Sequence, residues 1–391
     1  MIKKHNNSKL NVLLLACSIF ALCSLIGLGT VFANVKASAP APTEPPVATE
    51  SPVYAAMDSF DNLVAEPIAQ ARDVLKNAKR VFWIPDDAQI APKPNDACYG
   101  EATDPSTLQW LLDAAAELLD GQETVFSTDI EIYPGSTITY YLDESIFVVT
   151  WQELLDKYCY TFSEVKIMHP SQFRRHLANN EYDSDYIHPV SRMAGMTNAV
   201  LATSADFYLG RNHGIIVYQG EVKRTEHADL VDTCFIDEDG NMILTHADEI
   251  LGDEAAQAFV DANNIDFSLA FGPILIKDGQ RCDPATYYLG EVNKNYPRAA
   301  LCQKDDLHYV FVAANAKGSN KKSPTIRKFT DNIEKLNCSQ VYTLDGGRTV
   351  TISMNGKAKN PLRESERWIS DIIYFATAIP SAEPLTEESQ P

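Results

Sequence analysis

The stretch from His308 to Leu344 constrains the fold more than any other part of the chain. His308 to Ala314 is an apolar-rich run of strand length, and Gln340 to Leu344 is another. Between them Ser323 can cap a helix with Pro324 in its first position, and Ile326, Phe329, Ile333 and Leu336 recur at helical spacing. A strand, a helix and a strand of these lengths form a crossover unit with its two strands parallel, buried under helical cover. The second strand runs straight into Asp345-Gly346-Gly347. Ligands commonly sit beyond the carboxyl ends of such strands, so this turn is the first place to look for chemistry.

Other elements fit the same class. Phe60, Leu63, Val64, Ile68, Ala71, Val74, Leu75 and Ala78 mark a helix interrupted at Pro67. A better delimited helix starts at Asp104 and Pro105, carries Leu108, Leu111, Leu112, Ala115, Leu118 and Leu119 as its stripe, and ends at Gly121. Residues 136–141 and 145–150 read as a hairpin turning at Asp143-Glu144. The expectation is an α+β protein: a mixed sheet with flanking helices, preceded by a small helical N-terminal region. Its expected parts are a signal peptide or membrane anchor at 1–33, a Pro-rich linker at 34–53, a helical and hairpin region at 54–150, a main domain at 151–378 and a disordered tail at 379–391.

The ends of the chain set its compartment. Lys3, Lys4 and Lys9 precede an uncharged apolar stretch at 11–33, the pattern of an exported protein. Val31-Phe32-Ala33 fits a cleavage site, while a run of roughly 20 apolar residues or more also suffices for a single retained N-terminal anchor. Localisation is therefore secreted or cell-surface. Formal net charge is −20, which repels phosphate backbones, and no basic run with interleaved aromatics offsets it, so nucleic acid is excluded as a partner. Cys98, Cys159, Cys234, Cys282, Cys302 and Cys338 lie beyond the leader, an even number that could pair after export. Neither a metal site nor a cofactor follows from the sequence, and neither does an oligomeric state. Nucleophile-elbow, Walker, dinucleotide and zincin motifs are absent. Asp237-Glu238-Asp239-Gly240 lacks the spacing of a calcium loop and reads as a hairpin turn.

Several residues could carry chemistry. Asp345 puts a carboxylate at a strand end, and Gly346 and Gly347 let the backbone approach a ligand, although Asp-Gly is also among the commonest turn signatures. Arg298 precedes the small-residue strand Ala299-Ala300-Leu301 and could clamp a phosphodiester, or serve as a surface ion-pair residue in so acidic a chain. Asp206 stands between Ser204-Ala205 and Phe207-Tyr208, where burial among aromatics would suit it to proton donation. Its structural alternative is a capped turn with both aromatics in the core. Glu366-Arg367 could add a carboxylate and a cation to one pocket.

Taken in order, Ser204-Ala205-Asp206-Phe207-Tyr208, Phe271-Gly272-Pro273-Ile274-Leu275 with Asp278-Gly279, Pro297-Arg298, Leu344-Asp345-Gly346-Gly347, Asn355-Gly356 and Glu366-Arg367 resemble the phosphodiester glycosidase family over roughly 197–376. The stretch from Tyr140 through His169-Pro170-Ser171-Gln172 to Arg175 resembles the entry segment of its bacterial, exopolysaccharide-related members. The resemblance implies hydrolysis of a sugar 1-phosphodiester in a glycan. It implies Asp206, Asp345 and Glu366 as the catalytic carboxylates, and Arg298, Gly346, Gly347, Arg367, Tyr208 and Ser204 as substrate-binding residues, with acid and nucleophile unassigned. The chain departs from the family in having Ser204 and Thr343 in place of Asn, Ala299 in place of Thr, Arg348 in place of a small residue, and Asn315-Ala316-Lys317 in place of Asp-Gly-Arg. Loss of positioned donors can cost on the order of 10²-fold each in rate, so the alternative is a catalytically impaired member that binds glycan or sugar phosphate.

Overall fold

Alternation along a few central strands explains the architecture. In the strands Ile146–Leu155, Arg298–Asp305 and His308–Ala314, Val148, Leu301 and Phe311 face one core while Val149, Ala300 and Val310 face another. Strands apolar on both faces must be covered on both. A computed structural model describes residues 82–379, except 86, 103–104, 211–212, 226–230, 284–292, 316–322 and 363. The described residues all belong to the unit Arg80–Pro391. The leader, the Pro-rich linker, the expected helix at 60–78 and the tail from 380 lie outside them.

A nine-stranded sheet forms the middle of this unit. In spatial order its strands are Tyr99–Ala102, Ile138–Leu142, Ile146–Leu155, Tyr158–Ile167, His308–Ala314, Arg298–Asp305, Gln340–Leu344, Ile274–Lys277 and Gln280–Arg281. The helices Pro105–Leu119 and Ile326–Ile333 cover one face, burying Leu111, Ala115, Phe329 and Ile333 against Val149, Phe162 and Val312. Against the other face pack a five-stranded sheet, which includes Leu201–Ser204 and Asp371–Phe375, and a three-stranded sheet, which includes Thr233–Asp237 and Ile265–Ala270. The helix Val190–Met196 lies on the far side of the five-stranded sheet, and Asp253–Asn263 on the far side of the three-stranded one. Helix, sheet, sheets and helix make an α+β fold built from layers. No helix among the described residues is long and apolar enough to cross a membrane.

Both strands of the expected crossover form with the bounds read from the sequence, but they are not neighbours. Arg298–Asp305 lies between them and is antiparallel to each, so the two are parallel only at one remove. Every strand pairing described is antiparallel, and the mixed sheet expected from the crossover does not form. The cause is non-local. A strand earlier in the sequence takes the central position, which the spacing within 308–344 cannot reveal. The helix also starts later than expected: Thr325 caps it by accepting from Lys328 N, while Ser323 is buried.

The hairpin forms as read, with Asp143 Oδ1 accepting from Ser145 N at 2.8 Å and Ile146 N at 3.1 Å. It does not belong to a separate N-terminal region. Ile146–Leu155 runs through the expected boundary at 150 and pairs along its length with Tyr158–Ile167, so the hairpin is part of the central sheet. Glu164 reinforces this junction. Fully buried, it accepts from Val125 N and Phe126 N at 2.7 Å and stands 2.8 Å from His308 Nε2, pinning the 124–126 segment to the sheet. The Asp237 turn is a hairpin, as expected, with Asp237 Oδ1 accepting from Asp239 N and Asn241 N. All six described cysteines are free thiols; Cys234 sits between the sheets and Cys302 and Cys338 on the helix-covered face, so the expected pairing is not present.

Candidate active site

Three strand ends meet at one edge of the nine-stranded sheet. His308–Ala314 and Gln340–Leu344 end there and Arg298–Asp305 begins there, because Ala314 pairs with Arg298 and Leu344 with Ala299. One step further along this antiparallel register stands Asp345, beside Arg298. Both residues are only 8% exposed. Arg298 is held in place: its Nη2 donates to Lys294 O at 2.9 Å, and its guanidinium lies 5.9 Å from the centre of the Tyr296 ring. Asn315, next after Ala314, reaches the same edge, and its buried Oδ1 has no hydrogen-bond partner among the described residues.

Asp345-Gly346-Gly347 is not a hairpin turn. It carries the chain from the nine-stranded sheet to the five-stranded one, and close packing requires both glycines. A Cβ on Gly346 would stand 2.7 Å from Pro297 O; one on Gly347, where φ is +67°, would stand 2.6 Å from the Tyr296 ring. Gly347 N donates to Pro297 O at 3.0 Å. Gly347→Ala should therefore lower the unfolding free energy by about 1–2 kcal/mol from the backbone conformation alone. Urea denaturation checks this, since the same substitution at an unstrained position would stabilise.

The other predicted residues divide. Asp345 N donates to Ala205 O at 3.1 Å, which ties the edge to the Ser204–Tyr208 segment. Asp206, however, is fully buried, and both its oxygens are occupied: Oδ1 accepts from Arg175 Nη2 at 2.8 Å and Tyr208 N at 3.1 Å, and Oδ2 from Ala270 N at 2.7 Å. Arg175 also donates to Asp371 Oδ2 at 2.7 Å. Burial pushes the Asp371 carboxyl up to about 7 against the pull of Arg175, with the Asp206 charge adding to the rise. Tyr208 is buried, with its ring centre 5.6 Å from the Arg175 guanidinium. Ser204 is buried at the end of its strand, and its Oγ has no partner among the described residues.

Glu366 and Arg367 part company. Glu366 Oε2 accepts from Ser191 N at 2.9 Å, at the first turn of the helix Val190–Met196, where a carboxylate complements the exposed amides. Arg367 reaches the edge. Its guanidinium lies 4.5 Å from the centre of the Phe207 ring, its Nη1 donates to Thr349 Oγ1 at 3.1 Å, and Thr349 N donates to Gly346 O. Arg348 makes an exposed pair with Glu364 at 3.4 Å. Arg298, Asp345, Gly346, Gly347 and Arg367 are thus brought to one region, with Asp206, Tyr208 and Ser204 beneath it and Glu366 turned away. Asn315 and Phe207 join the set; their signals were a polar residue ending a buried strand and an aromatic in a sharp turn. A cavity of 790 Å³ opens elsewhere, lined by Arg174, Tyr218, Glu238, Asp261 and Asn264, and includes none of these predicted residues.

Residues 197–376 match the model of the phosphodiester glycosidase family. This stretch is a phosphodiester glycosidase domain. At family level this points to a glycosidase hydrolase, and Arg298, Asn315, Asp345 and Arg367 all fall inside the matched stretch. The domain's sheet nevertheless takes Tyr99–Ala102, Ile138–Leu142, Ile146–Leu155 and Tyr158–Ile167 from earlier in the chain. Among solved structures the chain is similar to the catalytic domain of zebrafish N-acetylglucosamine-1-phosphodiester alpha-N-acetylglucosaminidase auto-inhibited by pro-peptide, at 16% identity and a TM-score of 0.45, over 59% of this chain and 82% of that one. It is also similar to a hypothetical protein from Synechocystis, at 13% identity and a TM-score of 0.41, over 59% of this chain and 62% of that one. No curated protein matches.

Proposed function

We propose that the protein is an exported hydrolase that cleaves sugar 1-phosphodiester linkages in a cell-surface or environmental glycan. The observation that carries the reading is Arg298 beside Asp345, both nearly buried, at a strand-end edge inside a phosphodiester glycosidase domain. Export rests on Lys3, Lys4 and Lys9 ahead of the apolar stretch at 11–33.

In this reading the guanidinium of Arg298 pairs with the diester anion and neutralises the charge that gathers on phosphate as the anomeric carbon–oxygen bond breaks. Asp345 faces the oxocarbenium-like sugar, as the nucleophile or as the base that activates water. In this reading Asn315 Oδ1, buried and without a partner among the described residues, accepts a sugar hydroxyl. The reaction asks less of a general acid than an ordinary glycoside does. The departing group is a phosphate monoester whose own last proton has a pKa of about 6, so it leaves as an anion without being protonated first. One carboxylate at the edge then suffices, and Asp206, with both oxygens engaged below it, is assigned to support rather than to proton transfer.

The test is sugar release from an activated α-N-acetylglucosamine 1-phosphodiester and a small panel of related glycosyl phosphodiesters, with the unphosphorylated glycosides as controls. Turnover confined to the phosphodiesters, competitively inhibited by inorganic phosphate and lost in Arg298→Ala, is the expected result. No turnover on any member of the panel overturns the reading.

A further inference from the structure

The proposed reaction makes no direct use of the buried Arg175–Asp206–Asp371 cluster, yet the cluster holds the turn that touches both Asp345 and Arg367. Arg175 Nη2 donates to Asp206 Oδ1 and to Asp371 Oδ2, and its Nη1 donates to Ser268 O; the side chains of Arg175, Asp206 and Asp371 are at most 1% exposed. Asp206 in turn grips main chain, accepting from Tyr208 N at 3.1 Å and from Ala270 N at 2.7 Å. Asp371 O accepts from Ala205 N at 3.4 Å. The four-residue turn Ala205-Asp206-Phe207-Tyr208 is thus held at its first, second and last residues by one cluster.

That turn has two consequences at the surface. Ala205 O accepts from Asp345 N at 3.1 Å and so fixes where the carboxylate leaves its strand. Phe207, at a φ of +59°, presents its ring to the guanidinium of Arg367 at 4.5 Å. Three charged groups buried together are an expensive way to stabilise a core, since apolar residues of similar volume commonly do as well or better. What such a cluster supplies is a single geometry.

We propose that Arg175 is a positioning residue for the candidate active site, acting through Asp206 on the Ala205–Tyr208 turn to set both the Asp345 backbone and the seat of Arg367. This deepens the phosphodiester hydrolase reading and rests on it, but its test does not depend on turnover. In wild type the Arg367 Nε–H resonance should be displaced by the Phe207 ring current. In Asp206→Asn an amide NH₂ replaces one acceptor oxygen, so the side chain loses either Ala270 N or both Arg175 and Tyr208 N. The Arg367 displacement should then shrink, and affinity for inorganic phosphate, the probe used, should fall about tenfold or more. Should Asp206→Asn not fold, Arg175→Lys replaces it, because lysine lacks the second nitrogen that holds Ser268 O while the first bonds the two carboxylates, so the cluster loses its planar fork and the same two readouts should move. A folded variant with the Arg367 resonance and phosphate affinity of wild type overturns the proposal, whatever its melting temperature. Absence of turnover in wild type fails the hydrolase reading alone, while the arginine resonance still decides the positioning role.

Discussion

Arg175→Met should strip the protein of a large share of its stability at pH 7.5. The guanidinium is the only cation bonded to Asp206 and Asp371 among the described residues, and both carboxylates are fully buried. Removing one partner from a buried ion pair costs about 3–5 kcal/mol, because the charge left behind has neither water nor a counter-ion. Asp206 is the charge left behind here, since Asp371, already raised to about 7 with Arg175 in place, takes up a proton once the guanidinium is gone. A domain is stable by only about 5–15 kcal/mol, so the loss is a large share of the whole. The complementary change should act in the opposite sense. One cation between two carboxylates leaves an excess negative charge, and burial raises Asp371 from 3.8 to about 7. A carboxyl whose folded pKa is raised contributes stability that is fully present below its unfolded value and lost as pH rises through the folded one. Between pH 4 and 7, then, this group makes wild type progressively less stable. Asp371→Asn, which holds the neutral form at every pH and leaves Arg175 balanced by Asp206, should flatten that slope. Urea unfolding of the three proteins at pH 5 and pH 8 checks both statements; an Arg175→Met variant as stable as wild type would remove the argument.

This cluster also shows where sequence reading stops. The helix Pro105–Leu119, the hairpin and both strands of the 308–344 unit follow from patterns a few residues wide, in which apolar spacing, capping residues and turn residues agree. Arg175 lies 31 residues from Asp206 and 196 from Asp371, and no local pattern links them. Asp371 looks like an interruption of an apolar strand, and its place becomes intelligible only once Asp371–Phe375 pairs with both Leu201–Ser204 and Phe173–Leu177. The same holds for Arg298–Asp305. Its strand character is visible in Ala299-Ala300-Leu301, but its position between His308–Ala314 and Gln340–Leu344 is a property of the sheet, and that position is what brings Arg298 to Asp345. At the site, motif order picked out Asp345, Arg298 and Arg367. It could not separate a carboxylate at an edge from one underneath it, because Asp206 and Asp345 each follow a buried strand and each precede a turn.

Asp345→Asn should separate those two carboxylates by experiment. Asparagine keeps the size of the side chain and the main-chain bond from residue 345 N to Ala205 O, and the flanking glycines stay packed on Pro297 and Tyr296. The unfolding midpoint should therefore stay close to wild type. Turnover should not. A neutral amide can neither attack an anomeric carbon nor take a proton from water, and loss of a positioned acid–base group alone costs about 10²–10⁴-fold in rate. Phosphate affinity should hold or rise, since Asp345 adds negative charge next to Arg298, and removing it relieves repulsion with the anion. Asp206→Asn should give the reverse profile: a lower unfolding midpoint and a displaced Arg367, with turnover reduced only as far as the edge is disturbed. Measuring kcat, phosphate affinity and unfolding midpoint for both variants distinguishes the reacting carboxylate from the supporting one. If Asp345→Asn retains turnover while Asp206→Asn loses it without loss of stability, the roles assigned to the two residues are exchanged.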